Sequence, residues 1–503
     1  MKLSELLQGL ECEIVQKGFE CEITYLTSDS RKVTENGVFI CITGAVSDGH
    51  KYIPQVIQKK AGVIVIQDSA LGNDETASLI KEIPSDITIV KAQNTRLALA
   101  VMSANYFGNP AKKLFTIGIT GTKGKTTTTY MVKNVLDACG IKTGLIGTIE
   151  TIIGDEHTPA CNTTPESYDI HKSFAKMAEQ GCKAVVMEVS SQGLKLDRTA
   201  GIMFDIGVFT NLEPDHIGPN EHASFEEYLE CKAKLFSQCK VGIVNADDEH
   251  TPKILEHATC SIESYGISDK ADIRAKNITL FHEPGKIGLS YDCEGLVNMP
   301  VTLKLPGKFS VYNSLCAIAV TRHFNVDKDT LEKMLYEVKV KGRIEIVPVS
   351  DRFTLMIDYA HNAMALKSIL ETLKEYNPNR LVCLFGCGGN RSKERRFEMG
   401  EVSGKLADLT IITSDNPRFE EPLDIIEDIK TGISKTTGKH VDIPDRKEAI
   451  KYAIKNAQNG DIIVLAGKGH EDYQEIKGVK YPMDERVLIK EVVKELESEG
   501  WKR

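Results

Sequence analysis

The chain has 503 residues and a net charge of −9, with an isoelectric point of about 5.8; this acidic balance argues against a general role in binding nucleic acids or membrane surfaces. Hydrophobic residues make up 41% of the chain and charged residues 26%, as in soluble globular proteins that need no disulfide bonds. At roughly 100–200 residues per domain, this length predicts about three domains.

The 13 cysteines are scattered without the paired short spacings of a zinc site. We therefore expect them to be reduced, as in a cytosolic protein. The first 16 residues include Glu5 and Glu11 and contain no long apolar run, so they predict an amphipathic helix and not a signal peptide. No segment approaches the apolar length of a membrane span. These features together predict a cytoplasmic protein.

Short apolar runs rich in β-branched residues alternate with amphipathic helical stretches along the chain. Four of these runs predict buried strands, at 62–66, 114–119, 184–187 and 462–465. Such alternation is typical of α/β domains with mainly parallel sheets.

Two points in the chain predict domain boundaries. Asn109-Pro110 follows a helical stretch and precedes a predicted strand, and the segment 340–343 precedes a new series of strands from Ile344. The α/β domains predicted in this way span 1–110, 111–340 and 341–503.

The strongest chemical signal is the glycine-rich segment Gly118–Tyr130, which follows a predicted strand and opens a predicted helix. Glycines let the backbone wrap closely round phosphate groups, and a helix N-terminus favours negative charge. Lys125 would reach the β- and γ-phosphates of a nucleotide, and Thr126 would help to hold Mg²⁺. The spacing departs from the standard phosphate loop, because Ile119 stands where the first glycine is expected. A plain strand–turn–helix corner is the alternative interpretation.

The variant T-G-T-K-G-K-T-T at 120–127 resembles the loop of the Mur ligase family. Further motifs of that family follow in order: Asn162–Pro165, Met187–Ser191, Asn211 with Asp215-His216, Asn245–Asp248, Tyr312-Asn313, Asp358–His361, Asp415–Arg418 and Gly467–Glu471. The resemblance implies an N-terminal α/β domain that binds UDP, a central phosphate-loop ATPase domain with a mainly parallel sheet, and a C-terminal Rossmann-like α/β domain.

The resemblance also implies a reaction. ATP phosphorylates a substrate carboxylate to an acyl phosphate, and the amine of an incoming amino acid then displaces phosphate. For this chain the implied reaction adds meso-2,6-diaminopimelate to UDP-N-acetylmuramoyl-L-alanyl-D-glutamate, in the cytoplasmic synthesis of peptidoglycan precursors. The implied partners are these small molecules, with neither nucleic acid nor membrane insertion, and a monomer is expected.

Roles for the ATP and metal sites follow from the resemblance alone. The implied catalytic residues are Lys125, Lys232 and His361. The implied ATP-binding residues are Gly121, Thr122, Lys123, Gly124, Lys125, Thr126, Thr127, Asn313 and Arg343. The implied magnesium ligands are Thr126, Glu188, His216 and Lys232. Strand-end packing is the alternative role for Tyr359 and His361.

Lys232 matches a lysine that carries a carbamate in the family. A neutral amine adds CO₂ and becomes a carboxylate able to face Mg²⁺, so the modification needs a lowered lysine pKa. Periodicity alone does not separate Lys232 from Lys234, and a solvated helix lysine is the alternative.

The UDP-sugar peptide would bind in two places, according to the same resemblance. The segment Thr27–Arg31 and the later Asp48–His50 are similar to a uridine-diphosphate pocket. The implied UDP contacts are Ser30, Ala45, Val46 and Ser47. The implied contacts of the muramoyl dipeptide are Asn162, Thr163, Thr164, Ser190 and Arg198, with Leu196 at a position that is usually polar.

The motif Asp415–Arg418, which ends in arginine, marks diaminopimelate-adding members of the family. Diaminopimelate carries a second carboxylate that lysine lacks, and Arg418 can bind it through two parallel hydrogen bonds. With lysine bound, that guanidinium would lose its partner. The implied amino-acid site comprises Arg391, Asp415, Asn416, Arg418, Gly467 and Glu471. Asn390 stands where an aspartate is usual.

Two alternative functions remain open on the sequence. The first is a related ligase that adds lysine, a D-Ala-D-Ala dipeptide, or glutamate to folate; the N-terminal segment argues against the folate enzyme, and Arg418 argues against the lysine enzyme. The second is a phosphate-loop NTPase with a binding role, which would hydrolyse ATP without needing an amine.

Overall fold

The structure is a computed structural model that describes residues 1–44, 47–215, 217–218, 221–283 and 285–502. Contacts within the chain divide it into two compact units. The first unit comprises Met1–Ile273 with Cys316–Val326, and the second comprises Arg274–Leu315 with Asp327–Arg503. No helix in these described ranges combines the length and the apolar character that crossing a membrane requires.

The first unit begins with a five-stranded sheet in the order β1-β5-β4-β3-β2. Its strands are β1 Cys12–Gln16, β2 Leu26–Thr27, β3 Val38–Ile40, β4 Val63–Gln67 and β5 Thr88–Ala92. Its helices are α1 Leu3–Leu6, α2 Ile53–Gln58, α3 Asp74–Lys81 and α4 Thr95–Tyr106. Strands β2 to β5 run parallel, and β1 pairs antiparallel with β5. The apolar residues of β4 are buried because this strand has neighbours on both sides.

The N-terminus only partly follows the predicted amphipathic helix. Helix α1 ends at Leu6, and Gly9 adopts φ +78°, a left-handed conformation common just beyond helix ends. The segment after Gly9 forms β1, whose Glu13 lies opposite Lys91 and forms an ion pair with it. The helix prediction for residues 7–16 was therefore wrong, because pairing with the sheet edge outweighs the local helical pattern.

The first unit contributes eight strands to an 11-stranded sheet, in the order β13-β12-β11-β6-β10-β7-β8-β9. These strands are β6 Phe115–Thr120, β7 Thr143–Ile146, β8 Glu150–Ile153, β9 Glu156–Pro159, β10 Ala184–Glu188, β11 Phe204–Phe209, β12 Cys239–Asn245 and β13 Ser261–Gly266. The accompanying helices are α5 Lys125–Ala138, α6 Ser167–Glu179, α7 Ser191–Lys195, α8 Phe225–Ala233 and α9 Thr251–Ile254. Six neighbouring strands, from β13 to β7 in that order, are parallel, and β8 and β9 add antiparallel pairs.

The second unit opens with three strands, β14 Ile273–Glu283, β15 Lys286–Gly295 and β16 Met299–Leu303. Helix α10 Lys308–Thr321 follows and belongs to this unit up to Leu315, and helix α11 Lys328–Glu337 comes next. A six-stranded sheet then has the order β17-β18-β22-β19-β20-β21. Its strands are β17 Glu345–Val347, β18 Thr354–Asp358, β19 Leu381–Phe385, β20 Leu409–Ile412, β21 His440–Asp442 and β22 Ile462–Ala466.

The remaining elements of the second unit flank this sheet in sequence. Its helices are α12 Ala363–Lys374, α13 Lys393–Leu406, α14 Pro422–Ile433, α15 Arg446–Lys455 and α16 Glu485–Ser498. A hairpin is formed by β23 Tyr473–Ile476 and β24 Val479–Pro482. All neighbours in the six-stranded sheet are parallel except β17, which pairs antiparallel with β18.

The predicted α/β class with mainly parallel sheets is confirmed. The four predicted buried strands correspond to β4, β6, β10 and β22. Because parallel strands end at a common edge, the segments after their carboxyl ends come together there. In the first unit this edge carries the segments that follow β6, β10 and β11. In the second unit it carries those that follow β18, β19, β20 and β22.

Candidate functional site

The glycine-rich loop joins the end of β6 to the start of α5. Gly121 has φ +146°, and a Cβ atom there would lie 1.9 Å from Oγ1 of Thr210. Gly124 has φ +85° and precedes the first residue of α5. Both positions favour glycine for conformational reasons, and Gly121 also has no room for a side chain. The loop leads directly into a helix N-terminus, the arrangement that favours bound phosphate.

The residues after β11 hold this loop in place. The backbone N–H of Thr122 donates to the carbonyl oxygen of Asn211 at 2.9 Å, and that of Lys123 donates to Asn211 Oδ1 at 2.9 Å. The hydroxyl of Thr210 donates to the carbonyl oxygen of Lys123 at 2.7 Å. Glu213 forms an ion pair with the side chain of Lys123 at 2.6 Å. The loop conformation therefore depends on a second strand end.

Two lysines converge on one carbonyl oxygen of the loop. Nζ of Lys125 donates to the carbonyl of Gly121 at 2.8 Å, and Nζ of Lys232 donates to the same oxygen at 2.9 Å. Lys232 is only 1% exposed. Burial, and then the positive charge of Lys125, hold the pKa of Lys232 well below its ordinary value. Lys234 is partly exposed and its Nζ lies 3.4 Å from the carbonyl oxygen of Leu194, so the structure separates two lysines that periodicity could not.

Glu188 ends β10 as a carboxylate that is 1% exposed. The hydroxyl of Thr126 donates to it and lies 3.0 Å from each carboxylate oxygen. Thr148 donates to it twice, from its backbone N–H at 2.8 Å and from its hydroxyl at 3.0 Å. These hydrogen bonds compensate for the burial of the charge. Thr148 was missed by the sequence analysis, since no motif contains it.

The metal prediction rests on residues that the structure describes only in part. Thr126 and Glu188 lie together and offer the oxygen donors that Mg²⁺ prefers. Among the described residues, no group of three or more His, Cys, Asp or Glu side chains could hold a metal ion. His216, the third predicted ligand, lies outside the described residues. The described donors therefore fit one side of a magnesium site.

Three of the predicted dipeptide contacts cluster beside Glu188. The hydroxyl of Thr164 donates to the carbonyl oxygen of Glu188 at 2.9 Å, and the backbone N–H of Ser190 donates to that hydroxyl at 2.9 Å. Arg198 donates to the carbonyl oxygen of Thr164 at 2.8 Å and forms an ion pair with Glu166 at 2.6 Å. These groups form one connected polar network.

Two further predicted dipeptide contacts differ in their surroundings. The hydroxyls of Thr163 and Thr148 share a hydrogen bond of 3.1 Å, which links Thr163 to the neighbourhood of Glu188. Asn162 is exposed to solvent.

The predicted UDP contacts belong to the first sheet. Ser30 is buried and its hydroxyl donates to Oε1 of Gln55 at 2.9 Å. Ser47 is exposed, and its hydroxyl lies 3.1 Å from that of Tyr52. Ala45 and Val46 lie outside the described residues.

The second unit gathers charged side chains where β20 and β22 end. Lys468 is 0% exposed, and its Nζ lies 2.9 Å from Oδ1 of Asn416, 2.8 Å from Oε2 of Glu471 and 3.7 Å from Asp415. Nδ2 of Asn416 donates to Glu471 at 2.9 Å. Burial alone would raise the pKa of Glu471. Lys468, with help from Asn416, lowers the pKa by more than burial raises it, so the pKa lies below its usual value.

Arg418 has a left-handed backbone, with φ +54°. Its Nε lies 3.1 Å from Oε2 of Glu475, and its Nη1 donates to the carbonyl oxygen of Gly389 at 2.8 Å. A Cβ atom on Gly389 would lie 1.9 Å from the carbonyl oxygen of Pro417. The loop after β19 and the loop after β20 are therefore in direct backbone contact, and the Gly389 carbonyl oxygen holds the guanidinium of Arg418.

The remaining residues predicted at the amino-acid site, and the neighbouring Asn390, differ in their exposure and in the groups they contact. Gly467 has φ +107°, and a Cβ atom there would lie 2.9 Å from Oδ2 of Asp415. Arg391 is exposed. Asn390 accepts a hydrogen bond of 3.2 Å from the backbone of Phe419 and donates its own N–H to Glu420. Asn390 thus connects the same two loops.

A third group in the second unit surrounds Tyr359. The guanidinium carbon of Arg343 lies 4.8 Å from the centre of the Tyr359 ring, and the rings of His361 and His470 lie 4.6 and 4.7 Å from it. Burial, and then Arg343, lower the pKa of His470 to about 4. Burial raises the pKa of Tyr359 to about 12. Arg343 and His361 are thus neighbours of one aromatic ring, whereas Asn313 lies buried on α10.

Two residues of the second unit escaped the sequence analysis as individual candidates. Lys468 stood within the Gly467–Glu471 motif, and its place between two glycines directly after a buried strand was the available signal. Arg446 is buried and forms an ion pair with Glu485. It also donates to the carbonyl oxygens of Ser414 and Ala466, and these hydrogen bonds link the segment just after β20 to the end of β22. No motif drew attention to Arg446.

Comparison with known proteins gives a match along most of the chain. The family model described as Mur ligase family, catalytic domain, matches residues 22–107. The model of the Mur ligase middle domain matches residues 119–321, and that of the Mur ligase glutamate ligase domain matches residues 342–469.

Individual relatives match over the whole length. A UDP-N-acetylmuramoyl-L-alanyl-D-glutamate–2,6-diaminopimelate ligase from Caldanaerobacter subterraneus subsp. tengcongensis is 43% identical, over 99% of this chain and 100% of its own. A similarly named ligase from Clostridium acetobutylicum is 41% identical over the same shares. A solved structure of a ligase with that name has a TM-score of 0.70 at 28% identity and covers 99% of each chain. With three domain models and full-length relatives in agreement, the chain belongs to the Mur ligase family.

Proposed function

We propose that this chain is an ATP-dependent amide ligase that adds meso-2,6-diaminopimelate to UDP-N-acetylmuramoyl-L-alanyl-D-glutamate. The acceptor carboxylate would first be phosphorylated by ATP, and the amine of diaminopimelate would then displace phosphate. The observation that carries the proposal is the phosphate loop, in which Lys125 and Lys232 meet at Gly121 beside the Thr126–Glu188 hydrogen bonds. The names of the full-length relatives supply the substrates.

The residues proposed to bind ATP fall into two sets. The loop residues Gly121, Thr122, Lys123, Gly124, Lys125, Thr126 and Thr127 would surround the phosphates, and Lys125 would stabilise the charge that spreads over the transferring group. Asn313 would contact the base, and Arg343 and His361 would act near the γ-phosphate.

Magnesium is proposed at Thr126, Glu188, His216 and the carbamate of Lys232. When bound, the metal would neutralise charge on the phosphate oxygens. The low pKa of Lys232 supports the carbamate, because only a neutral amine adds CO₂. A carbamate on Lys232 would also place an anion beside Lys125, where opposite charges attract.

Binding of the UDP-sugar peptide is proposed at two groups of residues in the first unit. The UDP group would contact Ser30, Ala45, Val46 and Ser47. The muramoyl dipeptide would contact Asn162, Thr163, Thr164, Ser190 and Arg198. The network that joins Thr164, Ser190 and Arg198 to Glu188 supports the second group, because it links the proposed substrate contacts to the proposed metal ligand.

Diaminopimelate is proposed to bind at Arg391, Asp415, Asn416, Arg418, Gly467 and Glu471. Its far end carries an ammonium and a carboxylate. Glu471 and the carbonyl oxygen of Gly467 would receive the ammonium, and Arg391 and Asn416 would hold carboxylates. The part of the Arg418 fork not bonded to Glu475 or Gly389 would bind the far carboxylate. Lysine has no carboxylate at this end, so it would leave the Arg418 fork without a partner.

Three broader features belong to the same proposal. The chain would work as a monomer in the cytoplasm, in peptidoglycan synthesis and hence in maintaining cell shape and division. Its domains would span 1–110, 111–340 and 341–503, and the three family matches fall within these ranges.

The test is phosphate release from Mg-ATP in the presence of UDP-N-acetylmuramoyl-L-Ala-D-Glu, with meso-diaminopimelate, with L-lysine and without an amino acid. Release that requires diaminopimelate and is far weaker with lysine is the expected result. Release with lysine in preference would overturn the proposed specificity. Release that needs no amine would overturn the ligase proposal and favour an NTPase.

A further inference from the structure

Lys468 is a buried lysine to which the proposed reaction assigns no role. It follows β22 and lies between Gly467 and Gly469. Its three N–H donors match three acceptors: Asn416 Oδ1 at 2.9 Å, Glu471 Oε2 at 2.8 Å and the carbonyl oxygen of Tyr473 at 2.5 Å. A side chain with all donors engaged inside the protein is held in one position.

The first consequence concerns Asn416. Its Oδ1 accepts from Lys468 and also from the backbone N–H of Glu475 at 2.9 Å, while its Nδ2 donates to Glu471 at 2.9 Å. The opposite orientation of the amide would place an NH₂ group against two donors and an oxygen against a carboxylate. Lys468 therefore helps to fix which way this amide points.

The second consequence concerns Glu471. Lys468 and Asn416 both donate to its Oε2, and no hydrogen bond to its Oε1 occurs among the described residues. Burial alone would raise the pKa of this carboxyl group, and Lys468 is the main group that lowers it. The other charged or titratable groups nearby are His470 on the same loop, Tyr359 at the end of β18 and Asp415 at the end of β20.

We propose that Lys468 is a positioning residue for the incoming amino acid: it holds Asn416 and Glu471 in the arrangement in which the carboxylate of Glu471 receives the ammonium group at the substrate's far end. This inference rests on the proposed function, because it assumes that these two residues bind the amino acid. Lys468 itself does not need to touch the substrate.

The test substitutes Lys468→Met, which keeps much of the side-chain volume and removes the charge and the donors. Loss of a charge-assisted hydrogen-bond network corresponds to about a 10- to 100-fold effect. We expect KM for diaminopimelate to rise by about that factor, while KM for ATP and for the UDP-dipeptide change less than about twofold. A merely structural lysine would alter all three constants or none.

The matched control is Lys480→Met. Lys480 is exposed, and its Nζ lies 3.9 Å from the centre of the Tyr473 ring, whereas that of Lys468 lies 5.2 Å from the same ring. Lys480 shares this aromatic neighbour with Lys468. Within the described part of the chain, no contact joins Lys480 to Asn416 or Glu471. We expect its kinetic constants to equal those of the wild type.

The pH profile provides a second measurement. Without Lys468, burial would dominate and the pKa of Glu471 would rise. In Lys468→Met, kcat/KM for diaminopimelate should therefore fall as the pH is lowered from 8 to 6, and the wild type should show no such additional fall.

If Lys468→Met does not fold, Glu471→Gln and the double variant Lys468→Met/Glu471→Gln replace it, because removing both partners leaves no unpaired buried charge. The proposal predicts that the double variant has the same KM for diaminopimelate as Glu471→Gln. A KM for diaminopimelate that is several-fold higher in the double variant than in Glu471→Gln would overturn it.

The two proposals fail in different ways. A wild type whose phosphate release needs no amine contradicts the proposed function. A wild type that depends on diaminopimelate, together with a folded Lys468→Met variant of unchanged KM for it, contradicts only the role of Lys468.

Discussion

The two units each bury a lysine almost completely, and the two lysines meet different surroundings. Lys232 in the first unit donates to a backbone carbonyl oxygen, and its charge is opposed by burial and by Lys125. Lys468 in the second unit donates to Glu471 and lies 3.7 Å from Asp415. The neighbours of the two buried lysines therefore carry opposite charges: a second lysine beside Lys232, and carboxylates beside Lys468.

This difference matches the chemistry proposed for each region. A lysine that readily becomes neutral can react with CO₂, as Lys232 is proposed to do beside the phosphate loop. Lys468 lies among carboxylates instead, and it is the main group that lowers the pKa of Glu471. This difference between the two lysine environments can be tested by substituting a buried lysine or a charged residue near it. A buried histidine without a hydrogen-bond partner extends the test.

The largest effect is expected for Lys232→Met. If its carbamate holds the metal, kcat for amine-dependent phosphate release should fall by about 10²- to 10³-fold, as when a group that stabilises transition-state charge is removed. Lys234→Met is the control, since Lys234 is partly exposed and away from the loop, and it should stay within about twofold of the wild type. A Lys232→Met enzyme with more than a tenth of the wild-type kcat would contradict the proposed role of Lys232 in catalysis.

A second, smaller effect concerns the carboxylate of diaminopimelate. Arg418→Met should raise KM for diaminopimelate by about 10- to 100-fold, because diaminopimelate loses a charged hydrogen-bond partner, and it should raise the weak activity with lysine, because no guanidinium is then left without a partner. Arg395→Met, on the exposed face of α13, should have no effect. Equal losses with both amino acids would show that Arg418 acts on structure and not on specificity.

The third prediction concerns stability and uses Glu471→Gln. Lys468 then keeps its burial but loses a carboxylate partner, so the free energy of unfolding should fall by about 2–3 kcal/mol at pH 7. Glu471 has a lowered pKa in the folded protein, so its contribution is present above the unfolded value of 4.5 and is lost as the pH falls through the folded value. The difference from wild type in thermal unfolding should therefore shrink below pH 4.5.

The control for this stability measurement is Glu491→Gln. Glu491 pairs with Lys447 at 2.9 Å and is half exposed, so we expect a change of at most about 0.5 kcal/mol. If both variants lose equally little stability, the carboxylate is not what stabilises the buried Lys468.

The smallest effect extends the comparison to His171 on α6. Within the described ranges neither ring nitrogen of this buried side chain has a hydrogen-bond partner, and burial lowers its pKa to about 4. The folded protein thus binds fewer protons here than the unfolded chain, so stability is lost as the pH falls below 6.5, by up to about 1.4 kcal/mol per pH unit. His171→Leu should remove this loss.

Thermal unfolding of His171→Leu between pH 7 and pH 5 measures the effect. The gain in stability over the wild type should grow as the pH falls. The exposed His257→Gln variant should follow the wild-type curve. Parallel curves for His171→Leu and wild type would show that His171 does not titrate with a lowered pKa.

Much of the fold was predictable because buried parallel strands are apolar on both faces. The runs that became β4, β6, β10 and β22 needed no long-range information. The segment after Gly9 was not predictable in this way, because its strand exists only through pairing with β5, which lies more than 70 residues away in sequence.

The candidate site was predictable as a set of motifs and not as a set of contacts. The glycine loop and the Asp415–Arg418 motif stood out through residue type and spacing. The choice between Lys232 and Lys234 depends on which of them reaches the carbonyl of Gly121, and that depends on packing of α8 against a loop more than 100 residues earlier. The partners of Lys468 are likewise set by two separate segments, the loop after β20 and the stretch from Glu471 to Tyr473.

The contact between Gly389 and Pro417 has a consequence for engineering. A methyl group on Gly389 would collide with the carbonyl oxygen of Pro417, so the two loops are complementary at the level of the backbone. Grafting the Asp415–Arg418 loop from a ligase with another amine preference would leave a mismatched surface against the host's Gly386–Gly389 loop. A chimera designed to accept a new amino acid should therefore exchange both loops together.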